Sequence, residues 1–143
     1  MNSLRLKTLA SFVSVDDRVI DIGCDHAYLS IYLAKNDLCK KIIASDVNVN
    51  ALQSAKNNIK KNHLEDKIKT YLSDGLKNIL ENDLDTIVIS GMGTNTILHI
   101  LEDIDKFPVK KIILQSNNDL FLLRNELRKR KIYLQSEKVV YEK

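Results

Sequence analysis

Proline and glycine are scarce: Pro108 is the one proline, and there are four glycines in 143 residues. So little turn-forming material argues against an all-β fold of short strands and tight turns. No apolar run approaches the roughly 18 residues that cross a bilayer. The opening MNSLRLKTLA has neither the apolar core nor the small-residue cleavage site of a signal peptide. No membrane partner is therefore expected, and the cytoplasm is the expected location. Cysteine is limited to Cys24 and Cys39, in unlike surroundings and without a CxxC pair or a His/Cys cluster. Neither a disulfide nor a metal is expected. Linkers, repeats and low-complexity tracts are absent too. With 44% hydrophobic residues and a mean hydropathy of -0.20 the chain has material for one core but not two. Residues 1–143 thus read as a single domain, expected to be a monomer. A net charge of +3 suits a polyanionic partner only weakly.

What is present is an alternation. Apolar residues at 6, 9, 10, 12 and 13, with Arg5 and Lys7 between them, predict an amphipathic helix over 4–13. A β-prone run at 18–22 ends at Gly23 and precedes a helical stretch over 27–35. The unit then repeats, with strands predicted at 42–45, 68–72, 86–90 and 112–115. Val49, Leu52, Ala55 and Ile59 form one helical stripe after the second strand. Ser73-Asp74-Gly75 closes the third strand and leads into a short helix to about Leu80, and Gly91-Met92-Gly93 leads into a helix carrying Ile97, Leu98, Ile100, Leu101 and Ile104. A last helix over 119–130 turns Leu120, Leu123 and Leu127 inward, and a sixth β-prone run spans 132–141. Such alternation, with strands apolar on both faces, predicts the α/β class: a doubly wound, Rossmann-like, mostly parallel sheet of about six strands with helices on both faces. Ligands bind such sheets beyond the carboxyl ends of the strands, so the residues just after each strand carry the functional information.

After the first strand a dinucleotide-binding fold places Gly-x-Gly-x-x-Gly, so that bare backbone can approach a pyrophosphate. This chain keeps only Gly23 and has Asp25 and Tyr28 at the other two glycine positions. Two unit charges about 4 Å apart interact by roughly 4 kcal/mol at an effective dielectric near 20, a penalty against phosphate and a gain with a cation. The substitution disfavours a nicotinamide dinucleotide and favours S-adenosyl-L-methionine, which has no phosphate but carries a sulfonium and an ammonium. Asp46 lies 23 positions after Gly23, near the spacing at which an acidic residue receives a ribose diol. Asp74 is placed to accept from an adenine amino group, beside Gly75, which lets the chain turn close to the ring. Gly91 and Gly93 flank the soft side chain of Met92 in a loop that suits a flat base. Each acidic residue could instead be a helix cap, and each glycine a strand terminator. Their joint placement after consecutive strands favours a ligand.

Arg5-Leu6, DIGCDHAYLS (21–30), SDGL (73–76), SGMGT (90–94), LQSN (114–117) and Leu123-Arg124 resemble the bacterial tRNA (adenine-22, N1)-methyltransferases over essentially the whole chain. Members typically show DIGSDHAYLP, GMGG and LQPN in that order. Here Cys24 replaces the usual Ser, Ser30 and Ser116 replace Pro, Asp46 a common Glu, and Thr94 the last Gly of GMGG. A β-branched Thr94 would resist positive φ and narrow the loop. The resemblance implies a class I methyltransferase catalytic domain with S-adenosyl-L-methionine held by Arg5, Asp21, Gly23, Cys24, Asp25, His26, Asp46, Val47, Asp74, Gly75, Gly91, Met92 and Gly93. It implies tRNA as partner. Family members continue with a last strand and a C-terminal helical domain, which 1–143 is expected to lack. The run 132–141 then lacks its expected partner, and the last ten residues are expected to shift toward the fifth strand or to be mobile.

Adenine N1 already holds an in-plane lone pair, so its methylation needs no strong base. Candidates to align the base are Asp25, His26, Tyr28, Met92, Asn95, Asn117 and Asn118. Arg124, Arg128, Lys129, Arg130 and Lys131 form the best RNA-facing patch, with Lys60-Lys61 and Lys110-Lys111 as satellites, although cations ending a helix also complement its dipole. The competing readings are a methyltransferase for another RNA or a small molecule, a nicotinamide oxidoreductase, and an inactive cofactor- or RNA-binding module.

Overall fold

The computed structural model describes residues 3–141. Its elements are α1 (Leu4–Ser11), β1 (Arg18–Ile22), α2 (Tyr28–Lys35), β2 (Lys41–Asp46), α3 (Val49–Lys61), β3 (Ile68–Leu72), β4 (Thr86–Met92), α4 (Thr94–Leu101), β5 (Lys111–Ser116) and α5 (Leu120–Lys129). The five strands form one parallel sheet in the order β3-β2-β1-β4-β5. Strand order reverses between β1 and β4, which sets the switch point above these two strands.

The alternation of side chains explains why the central strands are buried on both faces. Val19, Ile42, Ala44 and Val88 join the core beneath α1, α2 and α3. Ile20, Ile43, Ile87 and Ile89 enter the second core with residues of α4 and α5. Caps set the helix starts: the Ser3 hydroxyl accepts from the Leu6 amide at 3.0 Å, and Asn48 Oδ1 accepts from Asn50 and Ala51 at 2.8 and 3.0 Å.

The amino ends of the strands are tied by ion pairs. Asp17, buried, accepts from Lys111 Nζ at 2.6 Å and faces Lys110 Nζ at 3.3 Å. Burial works against ionisation there, but the Lys111 ammonium and the Ser14 amide hold the Asp17 carboxyl below its ordinary range. Asp85 accepts from the Arg18 amide and the Thr86 hydroxyl, and Asp83 pairs with Lys41 at 3.0 Å.

Three expectations are corrected. The sheet has five strands, because 132–141 carries no strand: Glu137 pairs with Arg124 at 2.7 Å, and Lys138 bonds the Ser11 hydroxyl at 3.0 Å and stacks over Phe12. Salt-bridge and cation–π contacts with α5 and the end of α1 hold this segment without adding it to β5. No helix follows Asp74. The Ser73 hydroxyl donates to the Gly75 carbonyl at 2.7 Å and accepts from the Asn78 amide at 3.1 Å, closing a turn in place of a helical start. Leu120 faces outward, 51% exposed, because α5 begins one residue after a left-handed Asp119 and buries Leu123 instead.

Candidate functional site

Gly23, Asp25 and Ala27 follow β1 with φ of 71°, 51° and 63°. Alternate residues are thus left-handed, and two of them pay the steric cost that a Cβ brings. The loop holds this shape because its amides are taken. Gly23 and Cys24 both donate to the Ser45 carbonyl at 2.9 Å, Asp25 donates to Asp46 Oδ2 at 3.0 Å, and Ala27 donates to the Cys24 carbonyl at 2.7 Å. A Cβ on Gly23 would lie 2.1 Å from Met92 Cε, so the Met92 methyl rests directly on bare backbone. This contact joins the first and fourth loops across the switch point.

Asp21, at 3% exposure, accepts from the Ser30 hydroxyl at 2.8 Å. Burial pushes its carboxyl up to about 7 against that hydrogen bond, and the nearby Asp46 carboxylate adds to the rise. Ser30, where the resembled family has proline, is therefore the hydroxyl partner of a buried acid. Asp46 is itself buried, and both its oxygens are engaged: Oδ2 by the Asp25 amide and Oδ1 by the Asn48 amide at 3.0 Å. Each oxygen keeps a second lone pair, so the expected diol contact is compatible with its role as the clasp between two loops. Burial, reinforced by Asp21, Asp46 and Asp25, pushes the Cys24 thiol up, which keeps it neutral and leaves it a packing residue. Asp25 is mostly exposed, with Oδ1 3.9 Å from His26 Nε2. His26 Nδ1 lies 2.6 Å from the Ser54 hydroxyl, and the His26 and Tyr28 rings are 5.3 Å apart.

On the other side of the switch point, β4 and β5 pair Ser90 with Gln115 and Met92 with Ser116, leaving Gly91 as a bulge at φ 76°. The Gly91 amide donates to Gln115 Oε1 at 2.7 Å. Positive φ thus falls on Gly91; Gly93 has φ -75° and Thr94 is simply the first residue of α4. The expected clash at Thr94 does not arise. Thr94 is buried, and its hydroxyl bonds Ser116 Oγ and the Asn118 carbonyl, both at 2.8 Å. Asn118 Oδ1 accepts the Thr94 amide at 3.0 Å, supplying α4 with the cap that Gly93 lacks. Asn118 is therefore structural at its oxygen, while Asn117 accepts from Gln115 Nε2 at 3.1 Å and Asn95 is exposed on the first turn of α4.

Asp74 is exposed after β3, beside Gly75, and Val47 is exposed after β2. The structure thus brings the loops bearing Asp21, Gly23, Cys24, Asp25, His26, Tyr28, Asp46, Val47, Asp74, Gly75, Gly91, Met92, Gly93, Asn95 and Asn117 to one end of the sheet. Arg5 lies on α1, ahead of β1. Among the ion pairs of the described residues, Asp25 meets only His26, and Asp21, Asp46 and Asp74 take part in none.

The basic patch lies elsewhere. The ten residues of α5 run back from β5 for about 15 Å, so Arg128, Lys129, Arg130 and Lys131 sit toward the amino ends of the strands. Arg124 is paired with Glu137, and Lys129 with Glu126 at 3.9 Å. A cavity of about 620 Å³ also opens toward that end, lined by Cys39, Lys41, Lys69 and Glu81 among others, and of these Lys41 pairs with Asp83 and Lys69 with Glu81. Sequence reasoning missed Ser30, Gln115, Ser54 and the exposed Phe121 on the first turn of α5. The first three act through contacts that no local pattern encodes.

A five-stranded parallel sheet with acidic and glycine-bearing loops gathered at its switch point is the frame of a Rossmann-like methyltransferase. The chain matches the methyltransferase domain family over residues 2–143 and belongs to it. It is similar to the tRNA (adenine(22)-N(1))-methyltransferase of Bacillus subtilis (strain 168), 36% identical over 142 residues that cover 98% of this chain and 60% of that protein. The structure of M. capricolum TrmK in complex with S-adenosyl-homocysteine resembles it with a TM-score of 0.90 and 35% identity, covering 100% of this chain and 64% of that one. For the B. subtilis M1A22 tRNA methyltransferase TrmK the TM-score is 0.89 at 35% identity, covering 100% and 62%. The chain thus spans about three fifths of the length of these relatives.

Proposed function

We propose that the chain is the catalytic part of an S-adenosylmethionine-dependent methyltransferase that modifies N1 of adenine 22 in tRNA, working in the cytoplasm. The observation that carries this reading is the accumulation of Asp21, Asp25 and Asp46 at the switch point with no lysine or arginine paired to them among the described residues. Such a set repels phosphate and attracts a cation. The residues fit the methyl donor on that ground: carboxylates suit its ammonium and sulfonium, and Gly23 offers backbone without a side chain. Asp21, Asp25 and the Gly23 backbone would hold its methionine end, Asp46 its ribose, and Asp74 with Gly75 its adenine.

When bound, S-adenosylmethionine supplies an electrophilic methyl group on sulfur. The chain's own work is alignment, worth roughly 7 to 11 kcal/mol when reacting groups are held in line. Adenine N1 brings its own lone pair, so its methylation requires no strong base. N1 lies on the pairing edge, so the nucleotide must leave any pairing to enter the cleft. Tyr28 and Met92 offer faces for the base, and Asn117 and Asn95 offer polar edges, while the Asp25 carboxylate favours the cationic product. Asn118 supports α4 and is assigned no base contact through its oxygen. Arg124, Arg128, Lys129, Arg130 and Lys131 contact the tRNA phosphates at a distance from the cleft.

The test is nucleoside mass spectrometry of an unmodified tRNA transcript incubated with the protein and methyl donor. 1-Methyladenosine at position 22, lost when that adenine is replaced by guanine, is the expected result. Methylation elsewhere, or none with the donor bound, would overturn the substrate assignment.

A further inference from the structure

We infer that Ser54 and Asn58 of α3 are positioning residues that clamp the ring and the peptide of His26, and so fix how Asp25 is presented to the cleft. The functional meaning of the clamp rests on the proposed reading of the first loop as the methyl donor's cradle; its existence does not.

The loop needs external support. Asp25 and Ala27 are left-handed without being glycine, and such backbone persists only where the surroundings over-determine it. Ser45 and Asp46 hold its inner side through the amides of Gly23, Cys24 and Asp25. Its outer side is held by α3. Asn58 Nδ2 donates to the His26 carbonyl at 2.9 Å, and the Ser54 hydroxyl meets His26 Nδ1 at 2.6 Å. Ser54 and Asn58 are four residues apart, on one face of the helix. α3 does not depend on them for its own seat, which Leu52, Ala55 and Ile59 provide.

The two ring nitrogens have unlike partners. Nε2 is 3.9 Å from Asp25 Oδ1, and a nitrogen facing a carboxylate keeps its proton. Nδ1 is then the acceptor, and Ser54 the donor. Asp25 and Ser54 thus select the tautomer together: Nε2–H faces the carboxylate, Nδ1 accepts from the hydroxyl, and the hydroxyl blocks rotation of the ring. The Tyr28 ring, tilted 35° at 5.3 Å, flanks the imidazole. Without Ser54 the ring loses its hydrogen bond at Nδ1, and the Asp25 carboxylate loses a fixed neighbour.

The experiment compares the whole chain with Ser54→Ala, Ser54→Thr and Asn58→Ala, and with Gln53→Ala as a control on α3. Nitrogen-15 NMR reads the His26 ring, and calorimetry reads affinity for S-adenosylhomocysteine. Alanine favours helix, so Ser54→Ala is expected to fold. In the wild type one ring nitrogen should be proton-free and hydrogen-bonded, at Nδ1. Ser54→Ala should replace this pattern by an average of two tautomers and weaken binding about tenfold, the weight of one hydrogen bond. Ser54→Thr should restore both, and Asn58→Ala should weaken binding with the tautomer retained. An unchanged nitrogen pattern in Ser54→Ala overturns the clamp, whatever the affinity. A changed pattern in a wild-type background that binds no S-adenosylhomocysteine supports the clamp and overturns the proposed function.

Discussion

The two ends of the sheet carry similar numbers of aspartates and treat them in opposite ways. At the amino ends Asp17, Asp83 and Asp85 are matched by Arg18, Lys41, Lys110 and Lys111. At the carboxyl ends Asp21 and Asp46 are as well buried as Asp17 and Asp85, yet among the described residues they have only hydroxyl and amide partners. The consequence shows in ionisation: Asp17 is held below its ordinary range while Asp21 is pushed up to about 7. One end is neutralised within the chain and serves stability. The other is left short of positive charge, which is what a cleft for a cationic ligand requires.

Four changes would break or sharpen this contrast. Asp17→Ala should cost most, about 3 kcal/mol in urea unfolding, because Lys111 and the Ser14 amide lose a buried partner. Its affinity for methyl donor, measured on the folded fraction, should not change. Asp46→Asn should act the other way round. One of the two amides it clasps would face an NH₂ group, and donor affinity should fall by about tenfold to a hundredfold in calorimetry with a smaller loss of stability. For Asp21 the sign follows from linkage. Its folded value of about 7 lies above the ordinary 3.8, so its contribution is fully present below pH 4 and is lost as pH rises through 7. Asp21→Asn should therefore be more stable than wild type at pH 8, by about 1 kcal/mol after losing part of the Ser30 bond, and gain nothing at pH 4, as read by urea unfolding. Equal gains at both pH values would show that Asp21 is ionised throughout. The smallest effect on stability, within about 0.5 kcal/mol, is expected for Arg128→Glu with Arg130→Glu, which are exposed. tRNA affinity in a filter-binding assay should nonetheless fall, and an unchanged value would assign these cations to capping the dipole of α5.

Much of this was legible in the sequence because each central strand advertises itself twice, through an apolar run and through the acid or glycine that ends it. Arg18 to Ile22 followed by Gly23, and Ile42 to Ser45 followed by Asp46, mark which loops to read, while the strand order that makes the switch point is not written in them. The failures share a cause. The run 132–141 has strand-like residues, but pairing depends on a neighbour that the run itself does not encode. Ser73 closed a turn where a helix was expected, because its hydroxyl competed for the local backbone. Asn118 and Ser54 work across 24 and 28 positions, so no window of sequence reveals them. Left-handed Asp25 and Ala27 contradict local preference, and only the amide contacts around them explain why the loop accepts the strain.

Calorimetric titration of the protein with S-adenosylmethionine and, separately, with NAD tests most directly whether an unneutralised acidic cleft selects a cation. Saturable heat with the sulfonium compound and none with the dinucleotide is the expected result, and Asp25→Gly should narrow the gap. Binding of the dinucleotide alone would contradict the charge reading of the site.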